Sequence, residues 1–153
     1  MNVQSSKLPK EEEFLKKVND EIEKDRPINA ILLIHGLIEA YLLEILLYSG
    51  KMNIKEINRR VIDDIERAGF KYLLNINFIL GNISFKLYNR TENFNKRRNK
   101  IVHELISMNV NNPKIKRMII KEIKNGLDIY KQLLEIYNKK IKERTKYFLG
   151  EGK

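Results

Sequence analysis

Apolar residues recur every three or four positions along most of the chain, which is the spacing of amphipathic α-helices. Sustained alternation of apolar and polar residues is missing, and no Asn-Gly or Asp-Gly turn joins two β-branched runs. The pattern therefore predicts an all-α fold, an antiparallel bundle of four to five helices. It contains no linker or internal repeat, so we expect a single domain over residues 1–153, with a core at about 10–145.

Proline, glycine and serine mark the predicted helix ends. The first helix begins near Pro9, and the second opens at Pro27 and runs to Ser49-Gly50. A third helix closes near Gly81-Asn82, after a polar stretch with a short helix around 54–62. Ser84 caps a fourth helix that runs to about Ile106, and Pro113 opens a long last helix. The apolar positions of that helix are Ile115, Ile119, Ile123, Leu127, Tyr130, Leu134, Tyr137 and Ile141.

The second predicted helix is apolar on most sides and long enough to span a bilayer. Four polar residues, Asn29, His35, Glu39 and Glu44, interrupt it, and charges at the centre of a membrane span are costly. We interpret it as the buried central helix of the bundle. The N-terminal residues lack the apolar run of a signal peptide, so the sequence predicts a cytoplasmic protein without a membrane partner.

The composition narrows the possible chemistry. The chain has 153 residues, no cysteine and two histidines, which excludes disulfide frameworks, zinc ribbons, iron–sulfur clusters and thiol nucleophiles. We therefore predict no metal and no cofactor. Lys and Arg number 30 against 20 Asp and Glu, a net charge of +10 that points to a polyanionic partner. Much of the surplus falls between Lys86 and Lys100, where the chain has six basic residues and a single acidic residue, Glu92. The surplus continues onto the last helix.

The fourth predicted helix carries the candidate chemistry in the sequence Arg98-Asn99-x-x-x-His103. Asn99 and His103 are four residues apart and share a helix face, whereas Arg98 and His103 lie about 140° apart on an ideal helix. A neutral imidazole can exchange protons with RNA hydroxyls, and a guanidinium can hold the scissile phosphate. Their convergence requires a curled Arg side chain, a distorted helix or a second subunit.

The segment Arg98-Asn99-Lys-Ile-Val-His103 resembles the Arg-x4-His signature of HEPN-domain proteins. Further likeness covers roughly residues 25–140. It includes the stretches 37–44 and 70–83, and resembles a HEPN subgroup related to the mannitol operon repressor. This resemblance implies a helical bundle that dimerises, and many HEPN proteins are metal-independent endoribonucleases acting as toxins or in antiviral defence. Some toxins carry a modified Tyr two residues after the His, where this chain has Leu105.

The resemblance also implies roles for individual residues. Arg98 would engage the phosphate, His103 would be the general acid and base, and Asn99 would orient them, with both subunits meeting at a dimer interface. From their charge and position we add nucleic-acid contacts for the neighbouring bases, Lys96, Arg97 and Lys100. Glu39 follows His35 by one turn in the apolar second helix, where we expect a catalytic or structural pair with His35 or an anchor for a basic side chain of a neighbouring helix. A further hypothesis is that Glu39 positions Arg98 or His103.

The leading hypothesis is a dimeric, metal-independent HEPN-type ribonuclease that cuts single-stranded RNA, as a toxin or defence component. Its expected partners are RNA, a second copy of the chain, and an antitoxin or a nucleotidyltransferase-like protein. The alternative is a non-catalytic HEPN protein that binds nucleic acid, a nucleotide or a partner protein as a regulator. A third class is a helical module that binds only protein.

Overall fold

The computed structural model describes residues 8–49, 63–65, 67–104 and 112–150. Within these ranges five helices have described bounds, residues 63–65 are also helical, and no strand occurs, which confirms the all-α prediction. The helices are α1 (Glu11–Glu23), α2 (Pro27–Ser49), α3 (Gly69–Ile79), α4 (Phe85–Glu104) and α5 (Pro113–Leu149). The predicted helix at 54–62, the predicted end near Ile106 and the departure at Leu105 lie outside the described residues.

Helix α2 is the centre of the bundle and packs against each of the other four helices. Ten of its residues are buried, including Ile31, Ile34, Ile38 and Leu42, whose side chains are 0% exposed. In the described part it is the one helix that is long and apolar enough to cross a membrane, with a mean hydropathy of 2.0. Because its buried side chains contact other helices, the structure shows the predicted core helix.

Neighbouring helices joined by short turns are antiparallel, as predicted. The hydroxyl of Tyr88 at the start of α4 donates to Asn75 Oδ1 in α3 at 3.0 Å. Closer to the turn, the rings of Phe78 and Phe85 lie 5.9 Å apart between centroids. Contacts along α4 and α5 likewise run in opposite chain directions, so the α4–α5 pair is also antiparallel.

The α2–α5 pair runs parallel, which corrects the predicted antiparallel arrangement of the bundle. Gly126 packs near Ile34 in the first half of α2, and Arg144 Nη1 donates to the carbonyl of Leu47 near its end at 3.0 Å. Both helices therefore advance in the same direction along their contact. Helix α4 runs in the opposite direction and brings the chain back to the end of the bundle at which α5 begins.

Helix α3 also runs parallel to α2, held by a buried asparagine. His35 stacks on Phe70 near the start of both helices, with ring centroids 4.4 Å apart. Two turns further along both helices, Asn77 Nδ2 donates to the carbonyl of Leu42 at 2.8 Å, and Asn77 Oδ1 accepts from Asn82 Nδ2 at 3.0 Å. Asn77 is 0% exposed, so these bonds replace the water it loses on folding.

The predicted starts of α4 and α5 are confirmed by side-chain caps. Ser84 Oγ accepts from the backbone N–H of Leu87 at 3.2 Å, which satisfies a free donor of the first turn of α4. The Asn112 side chain accepts from Lys114 N at 2.9 Å, and Pro113 is the first residue of α5.

The structure gives exact bounds for the first and last helices. Helix α1 begins at Glu11 rather than at Pro9, because the intervening Lys10 has extended backbone angles (φ −62°, ψ 140°). Helix α5 continues past Ile141, the last predicted apolar position, to Leu149. Lys, Glu and Arg make up half of this extension, and these residues favour helix even without a buried face.

Candidate active site

Arg98 occupies a core-facing position of α4. The inward stripe of this helix consists of Leu87, Thr91, Phe94, Arg98 and Ile101, at alternating steps of four and three residues. The other four members are buried, with Thr91 and Phe94 at 0% exposure and Ile101 at 4%. Arg98 is half-buried between Phe94 and Ile101, where the pattern requires an apolar residue.

The guanidinium of Arg98 is incompletely bonded. Its Nη1 donates to Asn99 Oδ1 at 2.7 Å, which is the pairing expected if Asn99 orients Arg98. Its Nε is buried and has no hydrogen-bond partner. Among the described residues no carboxylate forms an ion pair with Arg98. A half-buried cation therefore lacks a counter-ion in this part of the chain, an arrangement that costs stability and is typical of functional sites.

The imidazole of His35 lies near enough to Arg98 to be affected by its positive charge. It is 8% exposed, stacks on Phe70, and bonds through Nε2 to Asn95 Oδ1 at 2.9 Å. Burial lowers the pKa of His35; the hydrogen bond to Asn95 opposes this effect, and the positive charge of Arg98 adds to it. Burial thus favours the neutral imidazole, and Nε2 donates to Asn95 Oδ1 because an amide oxygen can only accept. Asn95 thus fixes the ring beside Phe70.

His103 lies apart from Arg98 within one chain. It is exposed in the last turn of α4, on the same face as Asn99 and Lys96. The helix is regular from Phe85 to Glu104, so no local distortion turns His103 toward Arg98. The structure therefore brings Asn99 to Arg98, and it leaves His103 about 140° away around the helix.

Lys96 and Arg97, both predicted nucleic-acid contacts, form ion pairs with glutamates. Lys96 Nζ lies 3.2 Å from Glu92 Oε1 one turn earlier, with 64% of the Lys96 side chain exposed. Arg97 Nη1 lies 2.7 Å from Oε1 of Glu122 in α5, and the Glu122 side chain is only 4% exposed. Lys100 is exposed on the flank of α4. Arg97 is thus held toward α5, while Arg98 faces the core.

Glu39 does not form the predicted pair with His35, because the imidazole bonds to Asn95 instead. Glu39 is half-buried on α2, and among the described residues it makes no hydrogen bond or ion pair with Arg98 or His103. The positioning role predicted for Glu39 thus has no contact to support it. Asn95 is not among the predicted site residues, although it precedes Arg98 by three residues on the same side of α4.

Comparison with protein-family models, curated proteins and solved structures gives no match. The resemblance to HEPN proteins therefore depends on the residues of this chain, chiefly Arg98, Asn99 and His103.

Proposed function

We propose that this protein is a metal-independent endoribonuclease of HEPN type that cuts single-stranded RNA as a dimer. The observation that supports it most directly is the half-buried Arg98 guanidinium, which has an orphaned Nε and no carboxylate partner in the described chain. A phosphate supplies the missing negative charge, and its oxygens match the paired N–H donors of a guanidinium. Arg98 is thus suited to hold the scissile phosphate.

The proposed reaction is transphosphorylation. The imidazole of His103 takes the proton of the ribose 2′-hydroxyl, and the 2′-oxygen attacks the adjacent phosphorus. The bond from phosphorus to the 5′-oxygen breaks, and the protonated imidazole gives its proton to that oxygen, which leaves as a 5′-hydroxyl. The other product ends in a 2′,3′-cyclic phosphate. Arg98 stabilises the negative charge that grows on the phosphate oxygens, and Asn99 fixes the guanidinium through Nη1.

A second copy of the chain completes the site in this proposal. Arg98 and His103 diverge within one chain, since His103 is exposed and α4 is undistorted between them. An interface with two-fold symmetry between α4 helices brings His103 of one copy toward Arg98 of the other. The exposed imidazole is then available to the partner rather than to its own Arg98.

The same divergence favours one alternative, a HEPN-type protein that binds nucleic acid without cleaving it. A chain whose Arg98 and His103 never meet keeps the phosphate-binding guanidinium and lacks the proton carrier. This alternative predicts RNA binding that weakens steeply with salt and yields no product.

The test compares cleavage of single-stranded RNA in EDTA by wild type, Arg98→Ala and His103→Ala, with Arg26→Ala as a matched control. Arg26 is an exposed arginine paired with Glu21, and it lies outside the site. We expect wild type and Arg26→Ala to cleave and the two site variants to lose about 100-fold or more. Activity that vanishes with EDTA, or that survives in both site variants, would refute the proposal. Salt-dependent binding without cleavage would establish the alternative.

A further inference from the structure

A polar cleft lies between α4 and α5, on a different flank of α4 from Asn95 and His35. Its volume is about 360 Å³, within the range of small-ligand sites. Arg90 and Arg97 line it from α4, and Lys121 and Lys124 line it from α5. The spacing of seven residues places both arginines on one helix face, and Lys121 and Lys124 are one turn apart.

Two carboxylates in the cleft hold the arginines across it. Glu122, 3% exposed, forms the base and accepts from Arg97 Nη1 at 2.7 Å. Asp128 Oδ2 accepts from Arg90 Nη2 at 3.0 Å, and Arg90 Nε donates to Asn125 Oδ1 at 2.8 Å. Each guanidinium keeps N–H donors that these bonds do not use. The framework therefore fixes two cations while leaving donors for a ligand.

The charge of the cleft favours an anion. Four cationic side chains line it against two carboxylates, and both carboxylates are already paired with arginines. Lys121 and Lys124 are exposed, and neither has an ion-pair partner among the described residues. A metal cation would meet this positive field, and the described chain contains no group of three metal-ligating side chains. A phosphate fits both the charge and the donor geometry.

We propose that the cleft binds a backbone phosphate of single-stranded RNA, as an anchoring site separate from the scissile phosphate at Arg98. This inference rests on the proposed ribonuclease function. Arg97 and Arg98 are consecutive residues about 100° apart around α4, so the cleft lies beside the half-buried guanidinium of Arg98 and apart from it. The cleft then contributes to the affinity and register of the strand, and Arg98 to the reaction.

The test measures equilibrium binding of a fluorescent single-stranded RNA whose 2′-hydroxyls are methylated, so that it cannot be cleaved. The cleft variant is Lys121→Ala/Lys124→Ala. The control is Lys139→Ala/Lys142→Ala, two exposed lysines with the same spacing about 27 Å further along α5. We expect the cleft variant to bind several-fold more weakly and to lower the salt slope by about 0.7 for each lost phosphate contact. The control variant keeps both values near wild type.

Equal weakening in the two double variants would overturn the inference, since it would indicate general charge attraction. A ribonucleoside monophosphate tests the other source of phosphate. The RNA assignment would also be overturned if wild type bound this nucleotide saturably and the cleft variant lost that binding but kept its affinity for RNA. Because the methylated RNA measures binding without cleavage, the experiment distinguishes a protein that does not cleave RNA from a cleft that does not bind it. In a cleaving protein, the cleft variant raises KM and leaves kcat within about twofold of wild type.

Discussion

Replacing either of two consecutive arginines with methionine should change stability in opposite directions. Arg98 lies on the core stripe of α4 with a buried, unbonded Nε, whereas Arg97 neutralises the buried Glu122 at 2.7 Å. Methionine matches the length of the arginine stem and suits an apolar stripe. Arg98→Met therefore removes an uncompensated cation, and Arg97→Met creates an uncompensated carboxylate.

The magnitudes follow from these contacts. An unsatisfied buried donor costs about 1–3 kcal/mol, and the lost bond from Arg98 to Asn99 is worth about 0.5–1.5 kcal/mol. Arg98→Met should thus raise the free energy of unfolding by about 1 kcal/mol and Tm by about 2–4 °C. Breaking a buried ion pair costs about 3–5 kcal/mol. Because the Arg97 side chain is 57% exposed, water screens that pair, and we expect Arg97→Met to cost about 1–3 kcal/mol.

Urea unfolding followed by circular dichroism measures both changes, at one protein concentration because a dimer's stability depends on it. Arg26→Met, at an exposed ion pair, is the control and should shift the unfolding free energy by less than about 1 kcal/mol. If Arg98→Met destabilises the protein as much as Arg97→Met does, Arg98 is a structural residue. The reasoning that assigns it to phosphate binding would then fail.

Three further predictions concern the core. Gly126→Ala should lower the free energy of unfolding in urea by about 1–2 kcal/mol, since the new Cβ would lie 2.7 Å from core side chains of α2 and α4. This net loss already includes about 1 kcal/mol gained from the better helix propensity of Ala. An unchanged unfolding midpoint would contradict this packing. Because the pKa of His35 is lowered in the folded state, its contribution to stability should be full above about pH 6.5 and fall as the pH drops below that. His35→Gln should flatten this dependence between pH 5 and 7 in urea unfolding, and a dependence that survives the substitution would contradict its assignment to His35. Asn77→Ala should lower the free energy of unfolding by about 2–3 kcal/mol in the same assay, because it leaves the Asn82 amide without its partner. A loss below about 0.5 kcal/mol would contradict the buried hydrogen bonds.

Local signals in the sequence were enough to predict most helix starts. Pro27, Ser84 and Pro113 each act within one turn, through a missing N–H or a capping oxygen, so their effect can be read without knowledge of the fold. The parallel α2–α5 contact could not be derived this way. It depends on which faces of distant helices meet, and spacing within a helix does not contain that information.

The buried face of α5 shows the same limit. The predicted stripe includes Leu127 and Leu134, which are half-buried, while Ile129 and Leu133 are 0% exposed. Because α5 packs against both α2 and α4, its buried face is wider than a single stripe. Gly126 belongs to that face, since only a residue without Cβ allows the approach of α2 and α4.

The candidate site could be predicted only in part from the sequence. The contact between Arg98 and Asn99 follows from adjacency, and the divergence of Arg98 and His103 from the helical repeat. The stripe that contains Arg98 could also have been read from spacing, as a charge at a core position. The bond from His35 to Asn95 joins residues 60 positions apart, so it required the packed structure.

Subunit mixing tests the central claim most directly. Arg98→Ala and His103→Ala are each assayed for RNA cleavage in EDTA, and then as an equimolar mixture after subunit exchange. We predict that each variant alone is inactive and that the mixture recovers about a quarter of wild-type activity, because half of the dimers then hold one intact site. A mixture as inactive as its components, with an active wild type, would contradict a site shared between two copies. An inactive wild type would contradict the ribonuclease itself.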